Sequence, residues 1–239
     1  MQTQTVFKRY ELKYLLSKKQ KEIILAAMAP HMEPDKFGRT TIRNLYFDTD
    51  SYRLIRHSIE KPVYKEKLRL RSYGKADPES PVFVELKKKY ESVVYKRRIE
   101  LPENAAMWWL CGGDSGAVDT QISREIDFFL SYYGSLRPAA FLSYDREAYF
   151  SLHGGDLRVT FDENILFRQE SLSLREDVWG TPLLPEDTVL MEIKCAGGIP
   201  LWLTGALTRE RIYKTSFSKY GTAYQKFMIS NGKENPMYA

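Results

Sequence analysis

The sequence predicts an α+β protein whose antiparallel strands are apolar on one face and charged on the other, with helices on the apolar side. Three observations support this. Segments of alternating character recur along the chain, and Lys65-Glu66-Lys67-Leu68-Arg69-Leu70-Arg71 is the sharpest. Read as a strand, it puts Lys65, Lys67, Arg69 and Arg71 on one face. Segments 63–73, 82–89 and 93–101 follow one another through short connections, as antiparallel neighbours in a meander do. The aromatic content is 13%, with 16 tyrosines, which suits a β-rich architecture.

The first strand spans 6–16, with Arg9, Glu11 and Lys13 on one face and Tyr10, Leu12 and Tyr14 on the other. Ser17 caps a helix, with Gln20 in the reciprocal capping position. Ile23, Ile24 and Ala27 continue that helix at helical spacing, and Pro30 ends it. Residues 41–48 form a second strand, Asp48-Thr49-Asp50 a turn, and 51–59 a short helix. After the meander, 103–111 is a short aromatic helix and 112–116 a glycine loop. Ile122, Ile126, Phe129 and Tyr133 then step along a helix ending near Gly134. Strands resume at 139–150, 157–161 and 189–194, while 163–187 has no clear period. The stretch 200–230 reads as mostly helical and 231–239 as a flexible tail. One domain is expected over 1–239, with its core at about 7–230.

The 43% hydrophobic and 28% charged content is that of an ordinary globular chain. The net charge of +5 points to an anionic partner. Cys111 and Cys195 make neither a disulfide framework nor a zinc pattern. Residues 1–10 lack the apolar stretch of a secretory leader, and no apolar run approaches the ~20 residues of a membrane span. A cytoplasmic location is expected, with membrane association only through a partner.

The charged faces collect Arg9, Glu11, Lys13; Lys65, Lys67, Arg69, Arg71; Glu85, Lys87; Lys96, Arg98, Glu100; Arg146; Arg158, Thr160, Asp162; Glu192, Lys194. Like charges on alternate residues, ~6–7 Å apart, repel by on the order of 2–3 kcal/mol at an effective dielectric of 20. Two architectures accommodate this. An open sheet leaves its charged face in water. A closed barrel gathers that face around a water-filled lumen and removes exposed edges. Arginine and lysine in such a lumen would hold phosphate oxygens, and carboxylates among them a bridging divalent metal.

Seven motifs carry a family resemblance. They are Arg9-Tyr10-Glu11-Leu12-Lys13-Tyr14, Asn44-Leu45-Tyr46-Phe47-Asp48-Thr49, Lys67-Leu68-Arg69-Leu70-Arg71-Ser72-Tyr73, Val84-Glu85-Leu86-Lys87-Lys88, Tyr144-Asp145-Arg146, Leu190-Met191-Glu192-Ile193-Lys194 and Ser216-Phe217-Ser218-Lys219-Tyr220. In order and spacing they resemble the VTC domain, the polyphosphate polymerase domain of the vacuolar transporter chaperone complex and one of the triphosphate tunnel metalloenzymes. The resemblance spans about 7–227 and implies the closed antiparallel barrel, with helices outside.

It also implies a function: transfer of the ATP γ-phosphoryl group to a growing polyphosphate chain. Arg69, Arg71 and Arg146 would clamp the transferring phosphates. Lys13, Lys67, Lys87, Lys96, Arg98, Arg158, Lys194 and Lys219 would contact the chain. Glu192, helped by Glu85 or Glu11, would hold Mn²⁺ or Mg²⁺. The partners implied are ATP, inorganic polyphosphate and, if the polymer is exported, a separate membrane protein; no nucleic acid is expected. Two departures matter. The family pattern has a second lysine shortly before the one matched by Lys219, and here Ser216 stands there. The related CYTH branch, with its thiamine triphosphatases and adenylate cyclases, carries Glu-x-Glu-x-Lys on its first strand, where this chain has Arg9-x-Glu11-x-Lys13. A non-catalytic polyphosphate-binding module and a metal-dependent triphosphatase are the alternatives.

The remaining signals read as structural. His31, His57 and His153 share no ligand spacing, and Gly112-Gly113-Asp114-Ser115-Gly116 lacks the lysine of a P-loop. Trp108-Trp109 reads as core. Lys88 and Arg97 point away from the basic face, towards solvent or an acidic partner.

Overall fold

The computed structural model describes residues 10–91, 93–116 and 118–229. Arg9, the start of the first expected strand and the expected tail lie outside the described residues. The elements run β1 (Tyr10–Ser17), α1 (Lys18–Met28), β2 (Met32–Pro34), β3 (Thr40–Asp48), α2 (Arg53–Ile59), β4 (Tyr64–Tyr73), β5 (Pro81–Tyr90), β6 (Val93–Pro102), α3 (Glu103–Leu110), α4 (Gln121–Tyr133), β7 (Arg137–Ser151), β8 (Arg158–Arg168), β9 (Thr181–Pro182), β10 (Thr188–Cys195), α5 (Leu201–Arg209), β11 (Lys214–Thr215) and α6 (Lys219–Ala223). A π-helical turn, Tyr224–Met228, continues α6.

The described residues divide into two compact units, one within 10–41, 144–165 and 184–217, the other within 42–143, 166–183 and 218–229. In the first unit β1 pairs antiparallel with β10, setting Lys13 opposite Glu192 and Glu11 opposite Lys194. β10 pairs in turn with β8, setting Glu192 opposite Thr160 and Lys194 opposite Arg158. The expected capping box forms at the start of α1. Ser17 Oγ accepts from the Gln20 amide, and the Gln20 side chain accepts from the Ser17 amide. Ile24 and Met28 of α1 and Leu203 of α5 pack with Val159, Phe161, Met191 and Ile193 of the strands.

In the second unit β4, β5 and β6 form the expected meander. Arg69 stands opposite Glu85, and Lys67 opposite Lys87. Glu85 stands opposite Arg98, and Lys87 opposite Lys96. The opposite face, with Leu68, Leu70, Val82, Val84 and Leu86 fully buried, packs under Trp109, Ile126 and Phe129 of α3 and α4. Each such side chain contributes about 1.5–3 kcal/mol when buried. Of the tryptophan pair only Trp109 is core, with Nε1 donating to Asp127 at 2.6 Å; Trp108 is exposed.

The expected closed barrel is not formed. The strand order β11-β1-β10-β8-β7-β3-β4-β5-β6 is an open path that ends on β11 and β6, with β2 against β7 and β9 against β8 off it. The ends explain why. β11 has two residues and meets β1 through two register pairs. β6 carries Lys96, Arg97, Arg98 and Glu100, charges that suit an edge and oppose further pairing. β2, β9 and β11 are too short to show a period of two. β11 also interrupts the stretch 200–230 that reads as mostly helical, and β8 runs on to Arg168 past the expected end at 161. No helix among the described residues is long and apolar enough to cross a membrane.

Candidate functional site

Glu85 organises the basic face of the second unit. Its side chain is wholly buried, with four cations around it. Arg69 Nε and NH2 lie 2.8 and 2.7 Å from Oε2, and Arg71 Nε lies 3.8 Å from it. Lys96 Nζ contacts Oε1, and Arg98 Nε lies 3.6 Å away. Burial alone would raise the Glu85 pKa. The Arg69, Arg71 and Lys96 charges overcome burial and hold the carboxyl far below its usual range. Burial has the opposite consequence for Lys96, whose pKa falls to about 8 although Glu85 favours its charged form.

β3 supplies neutral partners that sequence reading gave no role. Tyr46 Oη accepts from Arg69 NH1 at 3.1 Å, and Asn44 Oδ1 accepts from Arg71 Nε at 2.9 Å. The signal lies in the strand register, in which Asn44 and Tyr46 stand opposite Arg71 and Arg69. Tyr46 stacks on Tyr220 of α6 with ring centroids 4.7 Å apart. The Tyr220 hydroxyl donates to buried Asp48 at 3.1 Å, and Asp48 also accepts the Leu54 and Ile55 amides. Lys67 Nζ donates to Ser218 Oγ at 3.0 Å, at the residue that caps α6. Lys219 is the first residue of α6 and half-buried, and Lys87 is half-buried between Lys67 and Lys96 in register. Lys88 and Arg97, on the opposite face, meet acids of the same unit: Lys88 lies 3.9 Å from Glu66 and from Glu125, and Arg97 2.9 Å from Glu125.

The first unit gathers a second group around Glu192. Arg146 Nε and NH2 each lie 2.6 Å from an oxygen of buried Asp162, and NH2 lies 3.3 Å from Glu192 Oε2. Burial works against the Arg146 charge, but Tyr144, Asp162 and Glu192 more than offset it and raise its pKa. Lys13 Nζ lies 3.3 Å from Glu11 and 3.5 Å from Glu192, and donates to the Phe217 carbonyl at 2.9 Å. Lys194 Nζ lies 3.9 Å from both Glu11 and Glu192. Arg158 instead reaches Asp35, at 3.7 Å, with its guanidinium over the Phe150 ring.

The fourteen candidate residues thus collect mainly in two groups, one per unit, each built on strands in fixed register. The family model of the VTC domain matches residues 8–228. The chain belongs to the VTC domain family. No curated protein matches the sequence. This VTC domain is similar in fold to a candidate adenylate cyclase of Bacillus halodurans, at 16% identity and a TM-score of 0.54, covering 93% of this chain and 97% of that one. It is also similar to HpAC1 from Hippeastrum, a candidate adenylyl cyclase described with a dominant triphosphatase activity. That likeness has 19% identity and a TM-score of 0.56, over 95% and 98% of the two chains.

Of the three carboxylates expected to hold a metal, Glu85 is wholly buried and gripped at short range, with Arg69 at 2.7 and 2.8 Å from one oxygen and Lys96 on the other. Glu192 and Glu11 also have cations beside both oxygens, but at 3.3–3.9 Å, and suit a metal better. They share Lys13 and Lys194, and Glu192 stands opposite Thr160, whose buried Oγ1 has no hydrogen-bond partner among the described residues. Two carboxylates and a hydroxyl are hard oxygen donors that fit Mg²⁺ or Mn²⁺, ions commonly held by one or two carboxylates together with substrate phosphates. No group of three or more His, Cys, Asp or Glu among the described residues forms a complete cage.

Proposed function

We propose that this VTC domain transfers the γ-phosphoryl group of ATP to the end of an inorganic polyphosphate chain. One observation carries the reading: four cations surround the single buried carboxylate of Glu85. Positive charge in such excess calls for a polyanion, and phosphate oxygens accept from arginine forks bidentately. A terminal phosphate oxygen would attack the γ-phosphorus as the bond to the ADP oxygen breaks, and ADP would leave with that electron pair. The attacking oxygen is anionic near neutral pH, so no side chain has to remove a proton. The work left for the chain is alignment and charge neutralisation.

In this reading Arg69 and Arg71, steadied by Tyr46 and Asn44, hold the transferring phosphate, and Arg146 holds a second position. Lys13, Lys67, Lys87, Lys96, Arg98, Arg158, Lys194 and Lys219 neutralise the chain. Glu192 and Glu11 would hold Mn²⁺ or Mg²⁺, which would supply positive charge to the phosphate oxygens. Ser216, in place of the family's second lysine, favours one alternative: a module that binds polyphosphate without turning over ATP. Arg9, in place of a carboxylate, weighs against a two-metal triphosphatase.

Incubation of the purified protein with ATP and Mn²⁺ tests these readings. Long phosphate chains with ADP support the polymerase. Free phosphate without chains identifies a hydrolase, and tight polyphosphate binding without ATP turnover identifies the binding module.

A further inference from the structure

A cleft of about 480 Å³ in the second unit opens beside α2, the start of β4 and α4. That volume lies within the roughly 300–1,000 Å³ of small-molecule sites. Tyr64 and Glu66 alternate with the residues facing Glu85, while Lys65, which shares the face of Arg69, also lines the cleft where β4 begins.

Its walls combine exposed rings with unpaired cations. Phe128 and Tyr132, one turn apart on α4, are 71% and 60% exposed, with ring planes 21° apart. The Arg53 guanidinium lies 5.7 and 5.2 Å from the ring centres of Tyr132 and Tyr133. The Lys65 ammonium donates to the Ser58 carbonyl at 3.1 Å. Neither cation has a carboxylate partner among the described residues. Burial, then Lys89 and Lys61, lower the Lys65 pKa, as expected of an ammonium lacking a counter-ion. The carboxylate in the wall, Glu66, is already engaged by the Tyr64 hydroxyl, by Tyr133 Oη at 3.0 Å and by Lys88 at 3.9 Å.

Exposed rings beside unpaired cations match a ligand that is flat at one end and anionic at the other. We propose that this cleft binds a nucleotide, with the base against Phe128 and Tyr132 and the phosphate on Arg53 and Lys65. The site stands independently of whether the Glu85 group elongates polyphosphate.

Calorimetric titration of the full chain with AMP tests this, run with saturating tripolyphosphate and again in the Arg69→Ala/Arg71→Ala variant. Saturable AMP binding is expected in both. Ribose 5-phosphate, which lacks the base, and adenosine, which lacks the anion, should each bind about tenfold more weakly, as expected for losing one stacking or charge partner. Tyr132→Ala, at an exposed position, should weaken AMP about tenfold with an unchanged melting temperature. The proposal is overturned if AMP does not bind saturably with tripolyphosphate present, if ribose 5-phosphate or adenosine binds as well as AMP, or if Tyr132→Ala has no effect. If the double variant fails to fold, the tripolyphosphate arm decides.

Discussion

Arg146 grips Asp162 with both ends of its guanidinium, Nε on Oδ1 and NH2 on Oδ2, each at 2.6 Å. Asp162 is wholly buried, so its charge cannot turn to water instead. Asp162→Asn keeps the shape but removes the charge. Breaking a buried pair from one side costs about 3–5 kcal/mol, because the remaining ion stays buried. A loss of that size is expected in urea unfolding. An unchanged midpoint would mean that Glu192 alone suffices for Arg146.

The Lys96 pKa of about 8 predicts proton linkage. The free protein would leave this lysine partly neutral just above that pH, and a bound polyanion would restore the charged form. Tripolyphosphate binding near pH 8.5 should therefore take up a proton, seen as a binding enthalpy that varies with the buffer's ionisation enthalpy. Lys96→Met should abolish that dependence. For stability the sign runs the other way. The folded pKa lies below the unfolded value of 10.5, so the penalty is full below about pH 8 and fades as pH rises to 10.5. A wild-type protein that binds without proton uptake sinks this prediction.

These two groups show what the sequence makes legible. Alternation along β4 placed Arg69 and Arg71 opposite Leu68 and Leu70, because a strand has no other way to sort them. It also paired the faces of β4, β5 and β6, because short connections leave few registers. Closure of the sheet was another matter. It depends on whether the first and last strands of the path pair, and alternation within β6 carries no information about that. The inward roles of Asn44 and Tyr46 were hidden for a different reason: neutral residues on β3 look ordinary until their register with Arg71 and Arg69 is known. Lys88 and Arg97, read as facing solvent or an acidic partner, have acids of α4 and β4 of their own unit against them.

Glu85→Gln should lower stability and raise the response to phosphate. Without the carboxylate, Arg69, Arg71, Lys96 and Arg98 repel one another in a buried site, at a cost of about 3–5 kcal/mol. A bound polyanion then replaces the missing charge, so tripolyphosphate should raise the melting temperature more in the variant than in the wild type. The folded pKa of Glu85 is depressed, so its stabilisation is complete above the ordinary value of 4.5 and is lost only as pH falls well below it. The wild-type advantage should hold between about pH 5 and 7 and shrink in stronger acid. An advantage that stays constant as pH falls through and well below 4.5 would show that Glu85 titrates alike in the folded and unfolded chain.

Arg69→Ala with Arg71→Ala tests the step from charge to ligand. Wild type at tripolyphosphate concentrations of about 100 times the dissociation constant should gain ~2.7 kcal/mol, read as a rise in melting temperature. The double variant loses two of the four cations around Glu85 but keeps Lys96 and Arg98 as its counter-ions, so it should still fold. Its expected signature is a cooperative melt with the tripolyphosphate shift absent or much reduced. A full shift in that variant would move the phosphate site away from Glu85, and aggregation in place of a cooperative melt would make both arginines structural. Lys88→Ala, on the opposite face of β5, serves as the control, because it removes a positive charge from the strand paired with β4. If the two variants lose the shift equally, the effect belongs to net charge and not to the site.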